Sequence, residues 1–331
     1  MSLPRLLVTL GDVAGIGPEI VVRAWPELVR RARPVVVGDP GWVEKAVRLA
    51  GSPARVQAVS HPEQARPAET VIPCLPATSA DLRNVEPGRV SAAAGKAAYD
   101  FLCRAIDLTM EGAADGIVTC PLHKEGLHAA GVKHPGHTEI LAERTGTKEF
   151  AMVLWGDGIA VAHVTLHIAL RDVFAGLTTP AVLEKVRLLN GLLPILLGRR
   201  PRIGVAALNP HASDGGLFGD EEARIIAPAV AAGQAEGIDV TGPWPADTLF
   251  VRADKGEFDG IVAMYHDEGH IAMKLRSGPR CVNITVGLPI VRTSVAHGTA
   301  YDIAGKGVAD PGSLVAATDV ASRLAASRAM G

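Results

Sequence analysis

The sequence is poor in aromatic residues, which make up 4% of its 331 positions, so aliphatic side chains and Ala must fill its core. It also lacks a charge imbalance. A formal charge of −2 and a pI near 6.6 leave no electrostatic footprint for a nucleic-acid partner. No apolar run reaches the ~18 residues that a membrane-spanning helix needs, which argues against a membrane protein. The four cysteines, Cys74, Cys103, Cys120 and Cys281, are far apart and form no CxxC pair. That excludes a zinc knuckle and a disulfide frame, and reads as the reduced thiols of a cytoplasmic protein. The opening MSLPRLLVTLGD runs straight into a strand pattern and shows no signal-peptide layout. There is no internal repeat, no low-complexity tract, and neither a GxGxxG nor a GxxxxGK[ST] motif. What is present, at 48% hydrophobic and 21% charged, is the composition of a globular chain long enough for about two domains.

The pattern along the chain alternates short apolar strands with amphipathic helices, the signature of an α/β fold. Arg5–Leu10 reads as a strand, followed by the Gly-rich turn GDVAGIGPE and a helix over Ile20–Val29. Strand, Gly-rich turn and helix in that order can form a phosphate cradle, or a tight turn that needs Gly for steric reasons alone. Strands follow at Pro34–Val37 and Asp115–Cys120, the latter ending in the polar Pro121-Leu122-His123-Lys124, and a long helix spans Ser91–Glu111. In His134-Pro135-Gly136-His137-Thr138-Glu139, His137 or Thr138 is placed to cap the next helix or to meet an anion at its start. Ala151–Leu154, a Gly-Asp-Gly turn and Ile159–Leu166 read as a hairpin, which makes the sheet mixed. A helix over Val182–Leu197, a strand over Arg202–Leu208, a helix over Glu221–Glu236 and a strand over Ile261–Tyr265 follow, and a last helix spans Val315–Met330.

Three strands of this pattern end in histidine: His167, His211 and His266. One such residue is more often structural than a ligand. Three in the same topological position point to a catalytic divalent metal, since strand ends in an open α/β sheet face one crevice and three imidazoles leave a coordination position open. The ion, zinc, magnesium or cobalt, would act as a Lewis acid on a substrate oxygen. Lys274 and Arg292 suit an anionic substrate, a phosphate or carboxylate. Asp247 and Asp267 are placed to orient imidazoles, and Lys274 and Asp247 are the candidate catalytic groups. A Gly-punctuated loop, HGTAYDIAGKG over His297–Gly307, is suited to close backbone approach to a flat or charged ligand.

GDVAGIGPE, TCPLHK, PGHTE, LHIALRD, LNPHASDGGLFGDEE, GPWPADT, MYHDEGHIAMK and NITVGLPIVRTS, in this order and over nearly the whole chain, resemble the 4-hydroxythreonine-4-phosphate dehydrogenase family. The opening GD-GIGPE and the closing HGTAYDIAGKG are also similar to the isocitrate and isopropylmalate dehydrogenases. The resemblance implies a two-domain α/β/α fold with mixed sheets and an active site in the cleft between domains. We expect residues 1–125 with 305–331 in the first domain, and 126–304 in a second that carries the metal site and dimer interface. It implies a homodimer with its active site at the interface, one metal ligand coming from the partner. His167, His211 and His266 match the family's metal ligands. His137, Thr138, Lys274, Asn283 and Arg292 match positions that hold a small phosphorylated substrate. NAD is the implied cofactor, with His297, Gly298, Asp302 and Gly305 of the closing loop around its adenosine. The implied reaction is oxidation of a secondary hydroxyl by NAD, then loss of carbon dioxide, on the route to pyridoxal phosphate.

Two positions depart from that pattern. HDEGHIAMK, with His270, is more similar to the branch acting on D-threonate or D-erythronate 4-phosphate. Ala296 stands where the family has Asp, which removes a carboxylate beside His297. A related branch oxidises aromatic cis-diol carboxylates with no phosphate, so the fold does not fix the substrate. Two other classes are a metal-dependent hydrolase, against which HGTAYDIAGKG argues, and a non-catalytic sugar-acid-phosphate binder, which needs no three metal ligands.

Overall fold

The computed structural model describes residues 3–134 and 136–328. Pro135 of the PGHTE motif and Met330, the expected end of the last helix, lie outside the described residues. Along the first stretch the elements are β1 (Arg5–Thr9), α1 (Gly17–Arg31), β2 (Arg33–Gly38), α2 (Pro40–Leu49), β3 (Arg55–Ala58), β4 (Val71–Pro76), α3 (Ala92–Met110), β5 (Gly116–Thr119), α4 (Lys124–Ala129) and α5 (His137–Thr145). Then come β6 (Ala151–Gly156), β7 (Ile159–His163), α6 (Val173–Gly176), α7 (Thr179–Leu197), β8 (Ile203–Ala206), α8 (Ala227–Ala235), β9 (Val240–Trp244), α9 (Ala246–Asp254), β10 (Gly260–Ala263), α10 (His266–Ser277) and β11 (Val282–Val286). The chain finishes with β12 (Arg292–Val295) and α11 (Gly312–Arg328).

These elements form two compact units, residues 1–150 with 287–331, and residues 151–286. In the first unit every strand pairing is parallel: β3 with β4, β4 with β2, β2 with β1, β1 with β5 and β5 with β12. Strands of a parallel sheet are covered on both faces, so they read as unbroken apolar runs. Leu6, Leu7 and Val8 of β1 are fully buried, as are Ile117 and Val118 of β5. The helices start where the sequence supplies caps. Asp39 accepts the Trp42 amide at 2.8 Å to begin α2, and Ser91 accepts from Ala94 to begin α3. Pro18 sits in the first turn of α1, where its missing N–H costs nothing. Helix α11 packs on α1, β12 and β5.

This division differs from the expected one at both boundaries. Residues 126–150 belong to the first unit because α5 packs on α3. Residues 287–304 belong there because β12 extends the parallel sheet, Thr293 facing Val118 of β5.

The second unit is mixed. A hairpin joins β6 and β7 through Asp157 (φ 48°) and Gly158 (φ 87°), the two positive-φ positions that match strand twist. Strand β11 pairs antiparallel with β6. Strand β10 lies between β7 and β8 and is parallel to both, and β9 flanks β8. At the amino end of β10, Asp259 accepts from Arg199 Nη2 at 2.7 Å and from the Arg202 amide at 2.9 Å. Burial pushes the Asp259 carboxyl up, but those hydrogen bonds outweigh it and hold the group well below the usual carboxylate range. The four cysteines are buried thiols outside any disulfide. Among the described residues no helix is long and apolar enough to cross a membrane.

Candidate active site

The carboxyl ends of β7, β10 and β8 lie side by side because those three strands are adjacent and parallel. The histidines expected at strand ends follow these three strands, though not at their last residues. Strand β7 stops at His163, and His167 lies four residues further on. His266 is the first residue of α10, two residues after Met264 has left β10, and His211 sits in a turn after β8.

Four imidazoles crowd together here: His163, His167, His266 and His270. His266 stacks on His270 with ring centroids 3.7 Å apart, and lies 5.8 Å from His167. His270 Nδ1 meets His163 Nε2 at 3.2 Å. The close approach depends on Gly269, where a Cβ would fall 2.4 Å from that same Nε2. Burial first, and then the neighbouring imidazoles, hold His163 down at about 3 and His270 at about 4, so both rings are neutral at physiological pH. Asp267 Oδ1 sits 2.6 Å from His266 Nδ1, which fixes that ring and leaves Nε2 as its outward donor atom.

His211 does not join this cluster. It lines a depression of about 590 Å³ with Asp247, Asp267, Glu268, Ile271 and Leu275. Its own turn is left-handed: His211, Ala212, Ser213 and Asp214 have φ of 55°, 55°, 67° and 44°. Buried Glu222 holds that turn. It accepts from the Leu208 amide at 2.8 Å, the Asn209 amide at 2.7 Å, Asn209 Nδ2 at 3.0 Å and the Ser213 hydroxyl. Glu268 accepts the Met264 amide, and burial pushes its carboxyl up to about 8.

Tested against a divalent ion, the donors are right in kind, imidazoles with carboxylates behind them. They are incomplete in one chain. His167 and His266 face each other, His211 is elsewhere, and among the described residues no group of three His, Cys, Asp or Glu is set to hold an ion. Lys274 lies on the same helix as His266 and His270, eight and four residues on, and is exposed. Asn283 of β11 donates Nδ2 to Met152 Sδ at 2.9 Å, and its Oδ1 is buried with no partner.

The first unit gathers the other anion-binding candidates. Arg292, 2% exposed on β12, donates Nη2 to Thr119 Oγ1 at 2.8 Å. Burial pushes it down to about 10, against the pull of Glu139. Burial and the Arg292 charge hold the His137 imidazole well below its ordinary value. Neither His137 nor Thr138 caps α5: the N-cap is Gly136, and both are the first residues of the helix itself. A buried guanidinium beside a neutral imidazole at a helix N-terminus suits an anion. In the closing loop, His297 Nδ1 faces its neighbour's Gly298 carbonyl at 2.9 Å, while Nε2 is buried and meets no partner. Gly298 is exposed with open space where a Cβ would stand. An unpartnered ring nitrogen beside an open glycine fits a ligand lying along this loop. Asp302 and Gly305 are exposed further along it.

The Gly-rich turn after β1 is not a phosphate cradle. Its amides are already donated within the protein: Asp12 N to Pro121 O at 2.9 Å, Ala14 N to Asp12 Oδ1 at 2.9 Å, and Ile16 N to Thr299 O at 3.0 Å. Its Asp12 and Glu19 carboxylates would moreover repel a phosphate.

Sequence reasoning did not single out His163, Glu222 or Glu19. The i, i+4 spacing of His266 and His270 is a sequence signal from which a helix here could have been found.

Comparison with known proteins agrees over the whole length. A protein of Beijerinckia indica named 4-hydroxythreonine-4-phosphate dehydrogenase is 49% identical over 320 residues, covering 96% of this chain and 94% of its own. A protein of Cupriavidus necator named D-threonate 4-phosphate dehydrogenase is 47% identical over 335 residues, covering 99% of each. The crystal structure of 4-hydroxythreonine-4-phosphate dehydrogenase from Klebsiella pneumoniae superposes with a TM-score of 0.86 at 43% identity, covering 97% of this chain and 99% of that one. Residues 30–321 match the family described as pyridoxal phosphate biosynthetic protein PdxA, and this chain belongs to that family.

Proposed function

We propose that this chain is a dehydrogenase that oxidises a secondary hydroxyl of a four-carbon, 4-phosphorylated hydroxy acid and releases carbon dioxide from the product. The observation that carries the reading is the pair His167 and His266, 5.8 Å apart beyond adjacent parallel strands, in a chain related over its full length to dehydrogenases of such substrates. The substrate is 4-hydroxythreonine 4-phosphate. The second reading, D-threonate 4-phosphate, is favoured by the 47% identity to the Cupriavidus necator protein and by His270, which ties His163 to His266.

In this reading the phosphate and carboxylate are taken by Arg292, His137 and Thr138, with Lys274 and Asn283 contributing. Arg292 arrives preorganised by Thr119, so binding does not have to order a flexible arginine. His167, His211 and His266 hold the divalent ion, and Asp267 keeps His266 in the tautomer that presents Nε2. When bound, the ion supplies Lewis acidity at the substrate oxygen and NAD supplies the two-electron acceptor. Lys274 and Asp247 serve proton transfer. His297, Gly298, Asp302 and Gly305 line the adenosine end of NAD.

One chain assembles only part of the histidine set, so the working enzyme is a homodimer with the third imidazole supplied across the interface. Ile271 and Leu275, 58% and 83% exposed beside the His211 depression, form the apolar surface such an interface covers. Four cysteines outside any disulfide accord with a cytoplasmic setting.

The test is an NADH absorbance assay with 4-hydroxythreonine 4-phosphate, D-threonate 4-phosphate and D-erythronate 4-phosphate, with and without chelator. Reduction of NAD with one of them, lost on chelation and restored by zinc, magnesium or cobalt, is the expected result. No NADH with any substrate, or rates unmoved by chelator, sinks the reading.

A further inference from the structure

The first βα turn and the closing loop stand about 280 residues apart in sequence, yet they form one device. Both Asp12 carboxylate oxygens are engaged: Oδ1 by the Ala14 amide at 2.9 Å, and Oδ2 by the Tyr301 hydroxyl at 2.8 Å. The Tyr301 ring is in turn stacked on His123, centroids 4.6 Å apart and 12° from parallel. Seven residues after Asp12, Glu19 is 4% exposed and accepts the Gly305 amide on one oxygen and the Gly307 amide, at 3.0 Å, on the other. The Ile16 amide holds the Thr299 carbonyl at 3.0 Å between these two anchors. The loop is thus gripped at Thr299, Tyr301, Gly305 and Gly307. Gly298 and Asp302, the exposed positions between His297 and Ala304, are left free of the clamp.

A buried carboxylate accepting two backbone N–H bonds makes strong, charge-assisted contacts that hold the backbone itself, whatever its side chains. We propose that Asp12 and Glu19 are positioning residues for the cofactor loop. They fix the loop backbone before the dinucleotide arrives, so that its ordering does not weaken binding. The inference rests on the reading of His297–Gly307 as the NAD loop. It assigns to GDVAGIGPE a role opposite in charge to phosphate binding: the turn carries anions directed inward at its own chain.

The experiment uses the full-length protein. NAD affinity is measured by calorimetry for wild type and Glu19→Gln, and amide hydrogen exchange is followed by mass spectrometry without cofactor. Losing charge-assisted hydrogen bonds worth on the order of 1.5–3 kcal/mol should weaken NAD by roughly ten- to a hundredfold. The affinity for 4-hydroxythreonine 4-phosphate or D-threonate 4-phosphate should stay within about twofold of wild type, and peptides over 298–307 should lose protection while those of the second unit keep theirs. A purely structural role would instead lower both affinities and all protection together. Should Glu19→Gln not fold, Tyr301→Phe removes the second anchor alone and should weaken NAD severalfold with the same selectivity. A folded Glu19→Gln that binds NAD as wild type does overturns the inference. Wild-type protein that binds no NAD overturns it together with the cofactor reading, and is told apart from failure of the clamp alone because the exchange measurement needs no cofactor.

Discussion

Each unit holds a candidate functional loop with one buried glutamate, and the two loops differ in how they tolerate it. In the first unit Glu19 accepts from Gly305 and Gly307, whose φ of 77° and 69° are left-handed values that glycine adopts without penalty. In the second, Glu222 holds a turn whose left-handed positions are His211, Ala212, Ser213 and Asp214. A non-glycine residue there costs on the order of 1 kcal/mol or more. Where only the backbone path matters, the sequence supplies glycine and the loop is relaxed. Where a particular side chain is wanted at the position, as the proposed ligand role of His211 would require, the strain is kept and a buried carboxylate with four acceptor contacts restrains it. Strain of this kind gathers at functional sites.

The largest effect is expected from removing that restraint. Glu222→Ala deletes the acceptor of four hydrogen bonds, two of them from backbone amides, a loss on the order of 2–4 kcal/mol before the turn relaxes. Relaxation of the left-handed turn returns part of this, so urea denaturation should show a net destabilisation of about 2 kcal/mol. Turnover in the NADH assay should fall at least about a hundredfold, more than the folded fraction explains, because His211 loses its place. Retained turnover in a destabilised protein would separate Glu222 from the site and leave it a structural residue.

The same contrast shows what was legible in the sequence. Strands buried on both faces are legible as apolar runs, and β1, β2 and β5 each lie within a residue of their expected bounds. Strand β12 was missed because its polar Thr293 and Ser294 look like loop, yet they are buried. Thr293 Oγ1 finds a partner in the Ala317 carbonyl at 2.8 Å, a contact that only the folded chain supplies. Helix α10 is hidden behind the strand over Ile261–Tyr265 because its charged residues gather in the first turn, where the helix dipole favours Asp267 and Glu268. Strand β7 was extended to Leu166 because alternation continues through HVTLH. It stops at His163, and the Thr165 hydroxyl donates to the Met264 carbonyl at 2.8 Å. The three histidines were visible as a set and their strands prove adjacent. That one chain brings together only two of them was not legible, since no local pattern encodes the path of a turn as unusual as that of His211.

A smaller effect tests the strain itself. Ala212→Gly places glycine at φ 55° and should stabilise the protein by about 0.5–1 kcal/mol. Gly307→Ala, at φ 69° with only Leu49 at 3.4 Å from the new Cβ, should destabilise by about 1 kcal/mol. Opposite signs in thermal unfolding of the two variants sharpen the comparison. Equal signs break it, since both loops would then be equally relaxed.

The smallest effect is electrostatic and is read as a direction. Burial pushes Glu222 up, but the hydrogen bonds from Ser213 and Asn209 outweigh it and leave the group below its ordinary value of 4.5. A carboxyl lowered on folding contributes stability that is present above the unfolded value and lost as pH falls through the folded one. Asp12 in the first unit is shifted the other way, because burial outweighs the hydrogen bonds from Tyr301 and Ala14. Ionising it therefore costs stability as pH rises above its ordinary value of 3.8. Thermal unfolding of Glu222→Gln should show a deficit against wild type at pH 7 that narrows as pH falls below about 4.5. Asp12→Asn should do the reverse, doing better relative to wild type at pH 7 than at pH 4. If both gaps moved the same way with pH, the two buried carboxylates would be alike in charge state. The distinction between a side chain held ionised to restrain a strained turn and one held at a cost to anchor Tyr301 would then fail.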